Sequence, residues 1–137
     1  MAEFRKVTDR FSVAPQIGIE DLARAAEAGF VLVINNRPDG EVPDQPSSAA
    51  VEAAAKAAGL DYAHIPVRGA PTPEQISAEQ AVLGKANGPV LAYCRSGNRS
   101  IITWSLGEAR AGSRSREELL KLGAAAGYDL SAVLASA

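Results

Sequence analysis

Three short apolar runs, each preceded by a helix-spaced stretch that stops at a glycine, constrain this chain more than any other feature. FVLVI (residues 30–34) follows IEDLARAAEA (19–28) and Gly29. YAHIPV (62–67) follows SSAAVEAAAKAA (47–58) and Gly59. PVLAY (89–93) follows a stretch that opens at Thr72 and closes near Asn87-Gly88. Apolar, partly β-branched runs of this length read as buried strands, and a glycine after a periodic segment reads as a helix stop. FSVA (11–14), ahead of Pro15, adds a further strand. Strands separated by helices lie parallel, because the connection must cross a face of the sheet. The expected fold class is therefore α/β, with a central, mostly parallel sheet of four to five strands flanked by helices. The 137 residues form a single domain spanning 1–137.

Helix edges are marked by capping chemistry. Ser47 or Ser48 caps the alanine-rich segment, and Thr72-Pro73-Glu74-Gln75 combines an N-cap, a first-turn proline and a capping-box glutamine. A helix over 99–111 follows PVLAY, Ser115-Arg116-Glu117-Glu118 opens another as a second capping box, and Asp129 caps a last short one.

Composition narrows the function. Cys94 is the one cysteine and His64 the one histidine, so disulfide frameworks, Cys-x-x-Cys pairs and multi-ligand zinc sites are excluded. A formal net charge of −2 argues against nucleic acid as partner. No apolar run approaches the ~20 residues of a membrane span. The opening MAEFRKVTDRF lacks the apolar core of a signal peptide, so the expectation is a cytoplasmic protein without a membrane partner.

In parallel sheets ligands collect where strands end at their carboxyl side. PVLAY delivers Cys94 to such a point, and Arg95-Ser96-Gly97-Asn98-Arg99-Ser100 follows, between strand and helix. A tight loop turns successive N–H groups toward one point, and the next helix aims its positive end there. Gly97 permits the turn. Arg99 supplies a planar fork for an oxyanion. The setting favours a thiolate at Cys94, and the Ser100 hydroxyl is placed to donate to that thiolate or to a leaving group. Cys94, Arg99 and Ser100 are the candidate catalytic residues. Arg95, Ser96, Gly97 and Asn98 are candidate anion-binding residues, and no metal ligand is expected.

The strand-Cys-loop-Arg-helix order resembles the protein tyrosine phosphatases and also the rhodanese sulfurtransferases. Together with VINNRPDGE and HIPV, the string CRSGNRS resembles a bacterial phosphatase-like family. That family includes the domain joined to hydrolases in beta-lactamase-hydrolase-like proteins. The resemblance covers roughly residues 4–112 and implies a protein tyrosine phosphatase-like scaffold.

Two departures from the phosphatase pattern bear on the chemistry. Four residues, not five, separate Cys94 from Arg99, a Cys-x4-Arg spacing that resembles the rhodanese loop. The small dual-specificity phosphatases also carry an aspartate general acid after a strand resembling HIPV. Here Arg68-Gly69-Ala70-Pro71 has no carboxylate. Asp39 and Glu41, in the loop after FVLVI, are possible substitute acids, and Arg37 in the same loop is a candidate anion-binding residue. His64 reads as a hydrogen-bonded sheet histidine and Trp104 as core.

The leading expectation is a cysteine-dependent sulfurtransferase, in which Cys94 carries a persulfide to an external thiol or thiol acceptor protein. The alternatives are a cysteine-dependent phosphatase acting through a phosphocysteine, and a non-catalytic anion-binding or partner-docking module. Small sulfur or phosphate anions are the expected ligands. None of the three readings calls for a cofactor, and the oligomeric state is left open.

Overall fold

The computed structural model describes residues 1–135; the last two residues of the domain expected over 1–137 lie outside them. An antiparallel pair opens the chain, β1 (Arg5–Thr8) and β2 (Phe11–Ala14). Then come α1 (Asp21–Glu27), β3 (Leu32–Asn35), α2 (Ser48–Ala57), β4 (Asp61–His64), α3 (Pro73–Lys85) and β5 (Val90–Tyr93). Three helices close the described chain, α4 (Asn98–Ala111), α5 (Arg116–Ala125) and α6 (Ser131–Leu134). The sheet order is β1-β2-β5-β3-β4, with β2, β5, β3 and β4 mutually parallel. This is the α/β architecture with a mostly parallel, helix-flanked sheet.

Period-two alternation divides the core between the two faces of the sheet. Phe11, Val13, Leu32, Ile34, Val90 and Ala92 point to one face and meet Ile101 and Trp104 of α4 and Leu119 of α5. Ala14, Val33, Leu91 and Tyr93 point to the other and meet Leu22 and Ala25 of α1 and Val51 and Ala55 of α2. The alanines sit where helix and sheet approach closely. Trp104 is core, its indole stacked on the Phe11 ring at 5.1 Å between centroids.

Several boundaries differ from those in the sequence. β1 had no signal there, since its turn is Asp9-Arg10 rather than a glycine turn. The strand expected over 62–67 stops at His64 because Pro66 has no N–H to donate. Ile65 and Val67 nevertheless donate to the Asn35 and Asn36 carbonyl oxygens, at 2.9 Å each, so the segment keeps running beside β3. The Thr72–Gln75 capping box is complete. At α5 only the Ser115 half forms, because the Glu118 carboxylate pairs with Arg114 instead.

One buried polar pair ties α3 to the end of β3. Asn36 Nδ2 donates to Ile65 O (3.0 Å) and to Glu79 Oε1 (2.9 Å), and Glu79 is 1% exposed. Burial, opposed only by the Asn36 bond, pushes the Glu79 carboxyl up to about 7. The folded protein holds this proton where the unfolded chain, with a pKa near ~4.3, has released it. The contribution to stability is full below ~pH 4.3 and is lost as pH rises to about 7. Glu79→Gln should remove that loss, worth on the order of 3 kcal/mol at pH 8. Denaturant melts of both proteins at pH 5 and pH 8 check this, and equal pH slopes would refute it.

Candidate active site

The strand order puts β5 between β2 and β3, so three loops leave the sheet side by side at its carboxyl edge. They follow β5 (Cys94–Gly97), β3 (Asn36–Pro46) and β4 (Ile65–Thr72). Cys94 is fully buried, and its amide donates to Ala14 O across the sheet at 3.4 Å. The Arg95 carbonyl accepts from Gln16 N–H at 3.1 Å, which holds the loop to the end of β2. At Gly97 the chain turns with φ +89°, in the region that favours glycine, and α4 begins. The Gly97 N–H donates to Cys94 Sγ at 3.1 Å, and Asn98 N–H donates to Ser96 Oγ at 3.3 Å. Sulfur therefore lies under the N-terminus of a fourteen-residue helix, where backbone dipoles favour negative charge. Ser100, one turn into that helix, is fully buried and its hydroxyl meets no hydrogen-bonding partner among the described residues.

Arg99 reaches across to the other two loops. Its Nη1 donates to Glu41 Oε2 (2.9 Å) and to the Val67 carbonyl oxygen (2.7 Å), and its Nη2 to Glu41 Oε1 (2.9 Å). Three of the five guanidinium N–H bonds are thus committed. The two that remain, on Nε and Nη2, lie along one edge of the fork and form a second bidentate face. The Glu41 contact above all, then the Cys94 sulfur, raises the Arg99 pKa against the opposing effect of burial, which makes the guanidinium and the thiol neighbours. Arg37 is buried and grips the same carboxylate, Nε to Glu41 Oε1 at 2.8 Å, with its Nη1 on Gln16 Oε1 at 2.9 Å. Arg99 first, then Arg37, hold the Glu41 carboxyl down to about 2. In this arrangement Glu41 is an ionised anchor for Arg99, not a proton donor.

Asp39, the other possible acid, is exposed and accepts from Ser48 N–H at 2.8 Å at the start of α2. Arg95, Ser96 and Asn98 are exposed on the outer side of the loop. His64 Nε2 donates to the Arg37 carbonyl oxygen at 2.9 Å, the structural role its strand position implies.

Tyr128, between α5 and α6, was not singled out in the sequence. Its hydroxyl donates to Ser96 O at 2.8 Å, and a Cβ at Gly97 would run into that hydroxyl. The Arg5 guanidinium stands 5.3 Å from the centre of the Tyr128 ring, so β1 braces the tyrosine from behind. Nothing local marks this role. Tyr128 lies 34 residues after Cys94 on an otherwise plain alanine-glycine turn.

Among the described residues, no group of histidine, cysteine, aspartate and glutamate is arranged to hold a metal ion. No helix there is long and apolar enough to cross a membrane.

Residues 3–111 match the family described as "Beta-lactamase hydrolase-like protein, phosphatase-like domain". The chain belongs to this family. A beta-lactamase hydrolase-like protein of Agrobacterium fabrum is 40% identical over 128 residues, which is 93% of this chain and 30% of that protein. The chain spans about three-tenths of the length of the curated relatives it matches. Among solved structures, a candidate phosphatase of Neisseria meningitidis Z2491 superimposes with a TM-score of 0.84 at 28% identity, over 96% of this chain and 94% of that one. P. aeruginosa TpbA, solved with phosphotyrosine, shares the fold at a TM-score of 0.68 and 13% identity, over 98% of this chain and 86% of that one. The phosphatase-like domain of this family thus has the protein tyrosine phosphatase-like scaffold, with its four-residue loop between Cys94 and Arg99.

Proposed function

We propose that this domain is a cysteine-dependent phosphatase that turns over through a phosphocysteine. The observation that carries the reading is the free edge of the Arg99 fork beside a buried sulfur at a helix N-terminus. That constellation suits a dianionic, tetrahedral group. The family description and the phosphatases among the fold neighbours move the weight from sulfur transfer to phosphate esters.

In the first step the Cys94 thiolate attacks phosphorus, the S–P bond forms, and the P–O ester bond breaks with its electrons on the leaving oxygen. The Arg99 edge and the amides of the loop take the charge on the non-bridging oxygens. In the second step water attacks phosphorus, the S–P bond breaks, and inorganic phosphate and the thiolate are released. Glu41 and Val67 O keep the fork oriented through both steps.

Among the described residues no carboxyl group stands ready to protonate the leaving oxygen, since Glu41 is clamped as an anion and Asp39 is engaged with α2. The leaving group must therefore depart as an anion. Aryl phosphates with acidic phenols should be cleaved, and alkyl phosphates should be slower by ~10²–10⁴ beyond their intrinsic difference, the usual worth of a general acid. A series of aryl phosphates with graded phenol pKa values, assayed at one pH, should give a steep dependence of kcat on leaving-group basicity. A flat dependence would show that an acid is at work.

Sulfur transfer keeps two observations in its favour, the Cys-x4-Arg spacing of a tighter loop and the lack, among the described residues, of a carboxyl placed as general acid. Thiosulfate and glutathione persulfide run beside the aryl phosphates separate the two readings. Transfer of sulfane sulfur without phosphate release would reverse the assignment.

A further inference from the structure

A groove of about 740 Å³ starts at Asn98 and Arg99 and runs along one face of α4. Ile102 and Leu106 form its floor, and Pro71 and Val133 stand on its two walls. Arg68 lies at the near end and Arg110 at the far end, both exposed. No acidic side chain among the described residues lines it. Among the described residues, neither Arg68 nor Arg110 pairs with a carboxylate, whereas Arg5, Arg24, Arg37, Arg99 and Arg114 all do. On a chain of net charge −2, the face beside the Cys94 loop is locally cationic with an apolar floor.

The dimensions point to the occupant. Arg99 and Arg110 are eleven residues apart on α4, a span of ~16 Å at the helical rise. Four residues of extended peptide, at ~3.3 Å each, cover ~13 Å of it, and the long Arg110 side chain reaches back over the rest. Alternate side chains of such a peptide fall on one side, where Ile102 and Leu106 offer apolar contact. A simple acyl chain would end its methyl group against a guanidinium. A nucleotide would look for an aromatic surface, and the lining has none.

We propose that the groove binds the body of the substrate, a phosphorylated protein segment. The phosphoryl group enters the Cys94 loop, an apolar side chain two residues on lies on Ile102 and Leu106, and an acidic side chain four residues from the phosphorylated one, on the same side of the peptide, meets Arg110. This rests on the phosphatase reading and names the substrate class for it.

The test uses phosphotyrosyl peptides with leucine at the second position from the phosphoresidue and glutamate at the fourth, built in both chain directions. Matched peptides carry lysine at the fourth position, and p-nitrophenyl phosphate serves as the bodiless reference. With the wild-type chain, kcat/KM for the better glutamate peptide should exceed that for its lysine counterpart about tenfold. Arg110→Glu should invert that preference and leave p-nitrophenyl phosphate turnover within about twofold. Leu106→Ser should weaken every leucine peptide several-fold with the same small-substrate rate.

Equal kcat/KM for the glutamate and lysine peptides would overturn the proposal while leaving the phosphatase reading intact. A long-chain alkyl phosphate that outcompetes all the peptides would overturn the assignment to a protein segment. Should no phosphate ester be cleaved at all, the phosphatase reading fails by itself. Affinity of Cys94→Ser for the same peptides then decides the groove, with tighter binding of the glutamate peptide supporting it and equal binding refuting it.

Discussion

Exchanging Cys94 for serine should leave the domain folded and reduce phosphate release from an aryl phosphate by on the order of 10⁴-fold or more. The side chain is fully buried, so the change is close to isosteric, and the Gly97 N–H that donates to sulfur at 3.1 Å finds an oxygen in its place. A buried hydroxyl there costs about 1–2 kcal/mol at most. What is lost is the nucleophile. A serine hydroxyl is not ionised at neutral pH, and no base within the loop takes its proton. The measurement is initial rate together with a denaturant melt, so that loss of activity and loss of fold are read separately. A serine variant that is folded and retains a tenth of the wild-type rate would rule out covalent catalysis by Cys94.

Arg99→Lys should be nearly as damaging, with kcat/KM for an aryl phosphate down by 10²–10³-fold, the range seen when a preorganised oxyanion donor is removed. The charge survives this substitution but the fork does not. Arg99 at present serves Glu41 and Val67 O with one edge and offers a second edge to the site. A lysine ammonium is a single point on a flexible stem, and Glu41, itself fixed by Arg37 at 2.8 Å, would draw it away from the sulfur. Restoring half the activity by Arg99→Lys alone would show that charge suffices and that the bidentate geometry is incidental.

The sequence was most informative where local chemistry decides the outcome. Strand runs, glycine stops and the Thr72–Gln75 capping box act over a few residues, so all four parallel strands and the long helices can be placed from them. The Cys94–Ser100 loop was legible for the same reason, since strand, turn glycine and helix start are consecutive. The role of Glu41 was not. It depends on two arginines, one four residues away and one 58 residues away in the chain, and only the folded sheet edge brings the second to it. In the sequence Glu41 was a spare carboxyl suited to acid catalysis; in the structure its partners hold its proton off. β1 and Tyr128 leave no local mark for a similar reason, because their value lies in what they touch rather than in their own pattern.

Tyr128 draws a line that chemistry alone would place elsewhere. Every residue proposed to handle the reacting group lies within the family match at 3–111, yet the hydroxyl on Ser96 O comes from beyond it. A piece trimmed to that span would keep its nucleophile, its arginine fork and the carboxylate behind it. It would lose the brace over the turn at Gly97, along with the α6 wall of the groove. Where such a domain is joined to a larger protein, the turn at Gly97 keeps its brace only if the junction lies beyond Tyr128.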